Sequence, residues 1–300
     1  MEVRSLLLSI ILLLLSSCQP ARPTVTLALL GDLMLARGVR PAQDSLAYLT
    51  PELQAADLAI ANLESPLAND PPSAETSFGY NLCAWAPTAN WLLAWGLDLL
   101  TLANNHRFDC GPDGVHETAR IISNLGLAAI GPDPKPFHRE INGLKLAFLA
   151  FDDILAPLDE SAAAGVIRSA RAGGSVVIVL VHWGMEYQGG ASERQKDLAQ
   201  EFARAGAALI IGTHPHVLQP AAWIPGAVGK TLVLYSLGNV LFDQAGLPDT
   251  RQSALVLVTL DAQGVCSARA LPFTIDVHTS RVGAPDPQTA QQIQSRINLP

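Results

Sequence analysis

Short runs of Val, Ile, Leu and Ala recur along the chain, and nearly every one ends in a polar turn. Residues 25–30 run into Gly31-Asp32, residues 58–61 into Asn62-Leu63-Glu64, and residues 97–103 into Asn104-Asn105-His106. Residues 144–151 end at Asp152-Asp153, 176–181 at His182-Trp183-Gly184, 208–212 at His214-Pro215-His216, and 232–237 at Gly238-Asn239. Apolar runs this short, closed by turn residues, predict strands buried on both faces. Between them the spacing predicts helices over 115–125, 161–172 and 193–205. In the last of these, Leu198, Phe202 and Ala205 share one face, and Arg194, Lys196 and Glu201 lie outside it.

Strands alternating with helices predict an α/β fold with a largely parallel sheet, whose ligands gather beyond the carboxyl ends of the strands. Residues 254–260 and 271–277 have no helix between them and are expected to pair antiparallel in a second sheet. The Pro-rich stretch 66–87 reads as a long loop over the site, and the Gln-rich stretch 280–300 as a polar surface helix or tail. No repeat or linker divides residues 24–279, so one domain is expected there.

The N-terminus changes the picture of where this domain works. A charged start at residues 1–4, an apolar run at 6–15 and Leu15-Ser16-Ser17-Cys18 describe a secretory signal. The run falls short of the roughly 20 residues of a membrane span. The small-small-Cys ending resembles the lipobox of bacterial lipoproteins. It implies a signal peptide over 1–17, a lipidated Cys18, a tether over 18–23 and an extracytoplasmic, membrane-anchored place in a bacterial cell envelope. Of the other cysteines, Cys83, Cys110 and Cys266, at least one must stay free; a Cys83–Cys110 bridge is one alternative, though the spacing does not favour it. The expectation is three buried small hydrophobes. A net charge of −8 with no Lys/Arg cluster excludes nucleic acid as a partner. It leaves room for an anionic substrate reached through a metal ion.

The strand ends carry the chemistry. His214 and His216 flank Pro215, and in a regular strand their imidazoles would face opposite ways, so both reach one site only from a loop. With His182, Asp32, Asn105 and His106 at neighbouring strand ends, they form a donor set of imidazole, carboxylate and amide oxygen. That set suits one or two divalent ions of Mn, Fe or Zn rather than Ca. His116, His138 and His278 lack such company and read as solvated or packing residues.

Six motifs occur in order: Gly31-Asp32-Leu33-Met34-Leu35-Ala36-Arg37, Asn62-Leu63-Glu64-Ser65-Pro66, Leu102-Ala103-Asn104-Asn105-His106, His182-Trp183-Gly184-Met185-Glu186-Tyr187, Gly212-Thr213-His214-Pro215-His216 and Tyr235-Ser236-Leu237-Gly238-Asn239. Together, over about residues 24–245, they resemble the CapA family, proteins associated with poly-γ-glutamate capsule biosynthesis. That family is similar to the calcineurin-like metallophosphoesterases, which implies a four-layer sandwich of two packed sheets flanked by helices. The resemblance implies that Asp32 is the first metal-binding Asp and that Glu64 stands where an Asp bridges two metals. It makes Asn105, His182, His214 and His216 further ligands, and His106 the acid or phosphate-contacting residue. Asn239 and Glu186 are read as residues that orient ligands, Glu186 alternatively as a salt-bridged or surface carboxylate, and Arg37 as a carboxylate or phosphate contact or a plain helix-surface Arg.

Two departures stand out. Met34 occupies the place of the His in the phosphoesterase Asp-x-His motif, although Met is the usual form within the capsule family, and the bridging Asp is here the longer Glu64. One metal site therefore loses a nitrogen ligand. The resemblance implies a metal-dependent hydrolase or transferase acting on an anionic polymer or a phosphorylated small molecule. The alternative is a non-catalytic metal-bearing subunit that binds or exports polymer beside a membrane-embedded synthetase.

Overall fold

Alternation along the strands sorts the apolar residues into three cores, and the three cores define four layers. The computed structural model describes residues 22–72, 80–133 and 135–299; the expected signal peptide, Cys18 and most of the tether lie outside these. In β1 (Val25–Leu33), Leu27 and Leu29 face one core while Ala28 and Leu30 face another, the period-two signature of a strand. In β8 (Leu144–Asp152), Phe148 and Leu149 divide in the same way.

The first sheet has the order β16-β15-β14-β1-β2-β5-β6, built from β2 (Leu58–Leu63), β5 (Leu99–Thr101), β6 (Ala128–Ile130), β14 (Gln252–Asp261), β15 (Gly264–Asp276) and β16 (Arg281–Gly283). Strand β13 (Asn239–Leu241) also pairs with β1. The second sheet has the order β11-β12-β10-β9-β8-β7, from β7 (Phe137–Ile141), β9 (Val176–His182), β10 (Ala207–Thr213), β11 (Leu218–Pro225) and β12 (Lys230–Leu237). The facing surfaces of the two sheets enclose Leu27, Leu29, Phe148, Ile178 and Leu209. Helices α1 (Thr50–Ala55), α2 (Asn90–Ala94) and α3 (Gly114–Asn124) cover the first sheet through Leu53, Leu92 and Ile122. Helices α4 (Glu160–Ala172) and α5 (Glu193–Ala205) cover the second through Ile167, Leu198 and Phe202. This is the expected four-layer α/β sandwich.

The helix ends follow from local chemistry. Ser192 caps α5 by accepting from Gln195 N at 3.2 Å, while the Gln195 side chain accepts from Ser192 N at 2.9 Å, a reciprocal capping box. Asp159 caps α4 by accepting from Ala162 N at 3.0 Å. Among the described residues no helix is long and apolar enough to cross a membrane.

Four expectations are corrected. Strands β14 and β15 do pair antiparallel, but they extend the first sheet beside β1 instead of making a second. The stretch read as a polar surface helix or tail does form a helix, α6 (Pro287–Ile297), but it also supplies β16, and α6 buries Ile293 and Ile297 against the inter-sheet core. That i,i+4 apolar pair was hidden in a Gln-rich background. The 66–87 stretch contributes two short strands that pair in parallel, β3 (Leu67–Ala68) with β4 (Ala84–Trp85). The cysteines are not all buried: Cys83 and Cys110 form a disulfide, with Cα atoms 5.0 Å apart, and Cys266 is exposed.

Candidate metal centre

Register brings the polar strand ends level. In the first sheet Asp32 lies opposite Asn62 on β2 and opposite Asn239 on β13, and Asn62 lies opposite Thr101. In the second, Asp152, His182 and Thr213 stand abreast. Two glycines permit the close approaches. A Cβ at Gly31 would stand 1.8 Å from the Gly238 carbonyl oxygen, and one at Gly212 would stand 2.0 Å from that of Tyr235. Asp32 N donates to Gly238 O at 2.9 Å across the first contact, drawing the turn that carries Asn239 over β1.

His214 and His216 lie just beyond β10, in backbone with φ of +96° and +59°. Such conformations cost of order 1–3 kcal/mol in a non-glycine residue and persist where surrounding structure enforces them, often at functional sites. They also let residues two apart both turn inward, as two ligands flanking Pro215 require.

The deepest group is Asp32, Glu64 and His216, whose ligand atoms all lie within 4.8 Å of one another. Asp32 Oδ1 accepts from Asn62 Nδ2 at 2.7 Å and Oδ2 from His214 N at 3.0 Å. His216 Nε2 stands 3.7 Å from Glu64 Oε1. Its Nδ1 bonds Asn239 Oδ1 at 2.9 Å. Asn239 Nδ2 donates to Gln244 Oε1 at 2.9 Å and to the Thr250 carbonyl at 3.1 Å. A carbonyl only accepts, so the Asn239 oxygen must face His216. The proton is thereby fixed on His216 Nδ1 and the lone pair on Nε2.

The electrostatics of this group suit a cation. Burial pushes the Asp32 carboxyl up to about 7, against the lowering effect of the bonds from Asn62 and His214. Glu64 is raised well above the usual range, first by burial and then by the Asp32 charge. Both Glu64 carboxylate oxygens are buried without a hydrogen-bond partner, and so is His214 Nδ1. A buried carboxylate with no donor costs several kcal/mol, which a coordinated cation removes. Burial depresses His182 and His214, and brings His216 to about 3, so all three imidazoles are neutral and can ligate. The residues present therefore fit a divalent ion.

The other expected site residues fall around this group. His182 Nε2 bonds Asn105 Oδ1 at 2.8 Å and its Nδ1 bonds Thr213 Oγ1 at 2.9 Å, so these two expected ligands pair with each other. His106 Nε2 stands 3.8 Å from Glu64 Oε1, and its Nδ1 bonds Asp109 Oδ2 at 2.8 Å. Glu186 is exposed yet forms a second group with His214 and His216. Arg37 is no helix residue. It sits at φ +52°, paired with Asp243 and 5.4 Å above the Phe242 ring. Met34 is fully buried among the apolar residues of the first-sheet core.

Sequence reasoning missed several residues. Asn62 is the donor that fixes Asp32, and Asn104 Nδ2 bonds Asn62 Oδ1 at 3.2 Å and Leu63 O at 3.0 Å. Asp109 holds His106 while accepting from Leu82 N at 2.6 Å. The first two lay inside recognised strand-end motifs. Asp109, three residues past His106, carried no signal of its own.

Comparison with known proteins places this geometry in context. Residues 26–244 match the family model described as "Bacterial capsule synthesis protein PGA_cap". The chain is 30% identical over 274 residues to "PGA biosynthesis protein CapA" of Bacillus subtilis (strain 168), covering 83% of this chain and 70% of that protein. It is 28% identical over 311 residues to "Capsule biosynthesis protein CapA" of Bacillus anthracis, covering 91% and 72%. Among solved structures, a hypothetical protein from Thermus thermophilus is similar in fold, with a TM-score of 0.57 and 17% identity over 83% of this chain and 99% of that one.

Proposed function

Because this chain belongs to the bacterial capsule synthesis protein family PGA_cap, part of the metallophosphoesterase-like superfamily, we propose that it works in building an anionic cell-surface polymer, poly-γ-glutamate, as a metal-dependent hydrolase or transferase. The observation that carries the reading is Glu64, whose two buried oxygens have no partner beside Asp32 and His216. Asp32, Glu64 and His216 would hold the cation, with His182, Asn105 and His214 next to them. When bound, the cation supplies Lewis acidity toward a phosphoryl or carbonyl oxygen and makes water a better nucleophile at neutral pH.

The chain's own residues do the rest. Asp109 orients His106 through Nδ1, leaving Nε2 facing the site as the atom that gives a proton to a leaving oxygen and takes one back. Arg107 donates to Asn104 O at 2.9 Å and pairs with Asp152, locking the loop that carries His106 between the two sheets. The test is turnover of phosphomonoester, phosphodiester and γ-glutamyl polymer by chelator-treated and Mn-loaded protein, beside His106→Ala. The expected result is turnover that needs both Mn and His106, with metal content unchanged in the variant.

A second reading, a metal-bearing subunit that binds or exports polymer beside a membrane synthetase, draws support from Met34, which supplies no ligand where phosphoesterases have a His. Retention of polymer by the loaded protein with no turnover of any substrate would favour it. Either role is proposed to lie at the cell envelope, with Cys18 as the lipid anchor. A Cys18→Ser variant is then expected to leave the membrane fraction or remain unprocessed, and unchanged lipid labelling of it would rule the anchor out.

A further inference from the structure

We propose that Glu186 is itself a metal ligand, binding the cation together with His214 and His216 at the solvent-facing mouth of the site. The inference rests on the metal-centre reading above and goes beyond it by assigning the coordination that position 34 leaves short. Glu186, His214 and His216 each present a ligand atom, and these atoms lie within 4.8 Å of one another. Two ligands of one first-row ion, each about 2.1 Å from it, stand about 3–4 Å apart. Rotation of an exposed carboxylate covers that difference.

A second observation concerns the His214 ring. His214 is only 6% exposed, and its Nδ1 has no hydrogen-bond partner. A buried ring nitrogen without a partner, on backbone at φ +96°, is an unmet donor site held in place by its surroundings.

Glu186, though exposed, stands on a fixed backbone. Tyr187 N donates to Pro215 O at 2.8 Å, clamping this loop to the turn between the two histidines. Gln219 Nε2 donates to Gln188 O at 2.9 Å and to Gly190 O at 3.1 Å from below. Gly184 turns at φ +88°, where a Cβ would meet the Gln195 side chain at 2.7 Å. The Tyr187 hydroxyl accepts from Gln244 Nε2 at 3.1 Å, and Gln244 in turn accepts from Asn239, the residue that orients His216. One hydrogen-bonded chain thus runs from His216 to the residue beside Glu186.

His216 links the two donor groups. With Nδ1 committed to Asn239 it has one free lone pair, at Nε2, so the Asp32–Glu64 pair and the Glu186–His214 pair are the deep and outer ends of one site.

The test is calorimetric titration of MnCl2 into the chelator-treated full chain, comparing the parent with Glu186→Gln and Glu186→Asp, together with metal-free melting curves. Glu186 is exposed, so the metal-free melting temperature should stay at the parent value. The expected result is a Kd weakened about tenfold or more in Glu186→Gln and partly restored in Glu186→Asp. A Glu186→Gln Kd equal to that of the parent overturns the assignment while leaving the metal centre standing. A parent that binds no Mn overturns both.

Discussion

His216 donates its Nδ1 proton to Asn239 Oδ1 across 2.9 Å, and through this bond the ring turns its Nε2 toward Glu64, 3.7 Å away. The orientation is enforced from behind, because Asn239 Nδ2 is already given to the Thr250 carbonyl. Asn239→Ala should therefore lower Mn affinity about 10–100-fold, the usual cost of losing a residue that aligns a ligand. It should also cost about 1–3 kcal/mol of stability through the buried groups left unpaired. Titration calorimetry and chemical denaturation measure the two separately, and unchanged affinity would show that the bond does not set the ligand.

The metal-free protein should lose stability as pH rises above about 6.5. Asp32 keeps its proton up to about 7 and Glu64 keeps one well above the usual range, whereas unfolded carboxylates have released theirs near pH 4. A native state that holds more protons than the unfolded chain is weakened by rising pH. The depressed imidazoles of His182, His214 and His216 act in the opposite sense, but their contribution is complete once unfolded histidines deprotonate near 6.5. The melting temperature of chelator-treated protein should fall between pH 6.5 and 8, and saturating Mn should abolish the fall. A flat metal-free profile would contradict the buried-carboxylate account.

Met34→His should add no metal site. The side chain is fully buried with Leu33, Leu35 and Leu63 in the first-sheet core, where an imidazole crowds its neighbours. Mn stoichiometry should match the parent, and stability should fall by about 1–3 kcal/mol. A clean additional binding event with new phosphodiesterase activity would show that position 34 opens onto the metal centre.

The strand-end rim was legible in the sequence because parallel strands of similar length deliver their last residues to one edge, and Asp32, Glu64, His182, His214 and His216 all terminate such runs. What the sequence could not carry was partnership across elements. Nothing local to His182 says that its Nε2 meets Asn105, and nothing local to His106 says that Asp109 also accepts from Leu82. Glu186 read as an orienting or surface carboxylate because nothing beside it in the chain names its partners, while its neighbours in space are His214 and His216. The burial of the last helix was obscured for a related reason, since two isoleucines in a polar stretch gain meaning only from the core they enter.

The Cys83–Cys110 disulfide ties the segment before β4 to the loop that carries His106 and Asp109. Closing a loop of 27 residues' separation contributes about 3–4 kcal/mol by chain entropy. The double Ser variant should lose about that much stability and should lose His106-dependent turnover far more than Mn affinity, because the cation ligands stand on other strands. Equal losses of both would place the disulfide under the whole site and not under His106 alone.

Glu64→Gln isolates the central claim, that two buried carboxylates are held together for a divalent cation. Gln has nearly the same shape but neither a charge to bury nor a proton to take up on folding, so without metal at pH 8 the variant should melt above the parent. Calorimetric titration of MnCl2 at pH 8, with melting curves taken before and after, is the deciding measurement. The account predicts saturable binding and a raised melting temperature in the parent, and a more stable metal-free Glu64→Gln protein that neither binds Mn nor responds to it. Equal Mn binding by both proteins, or a parent that takes up none, would contradict it.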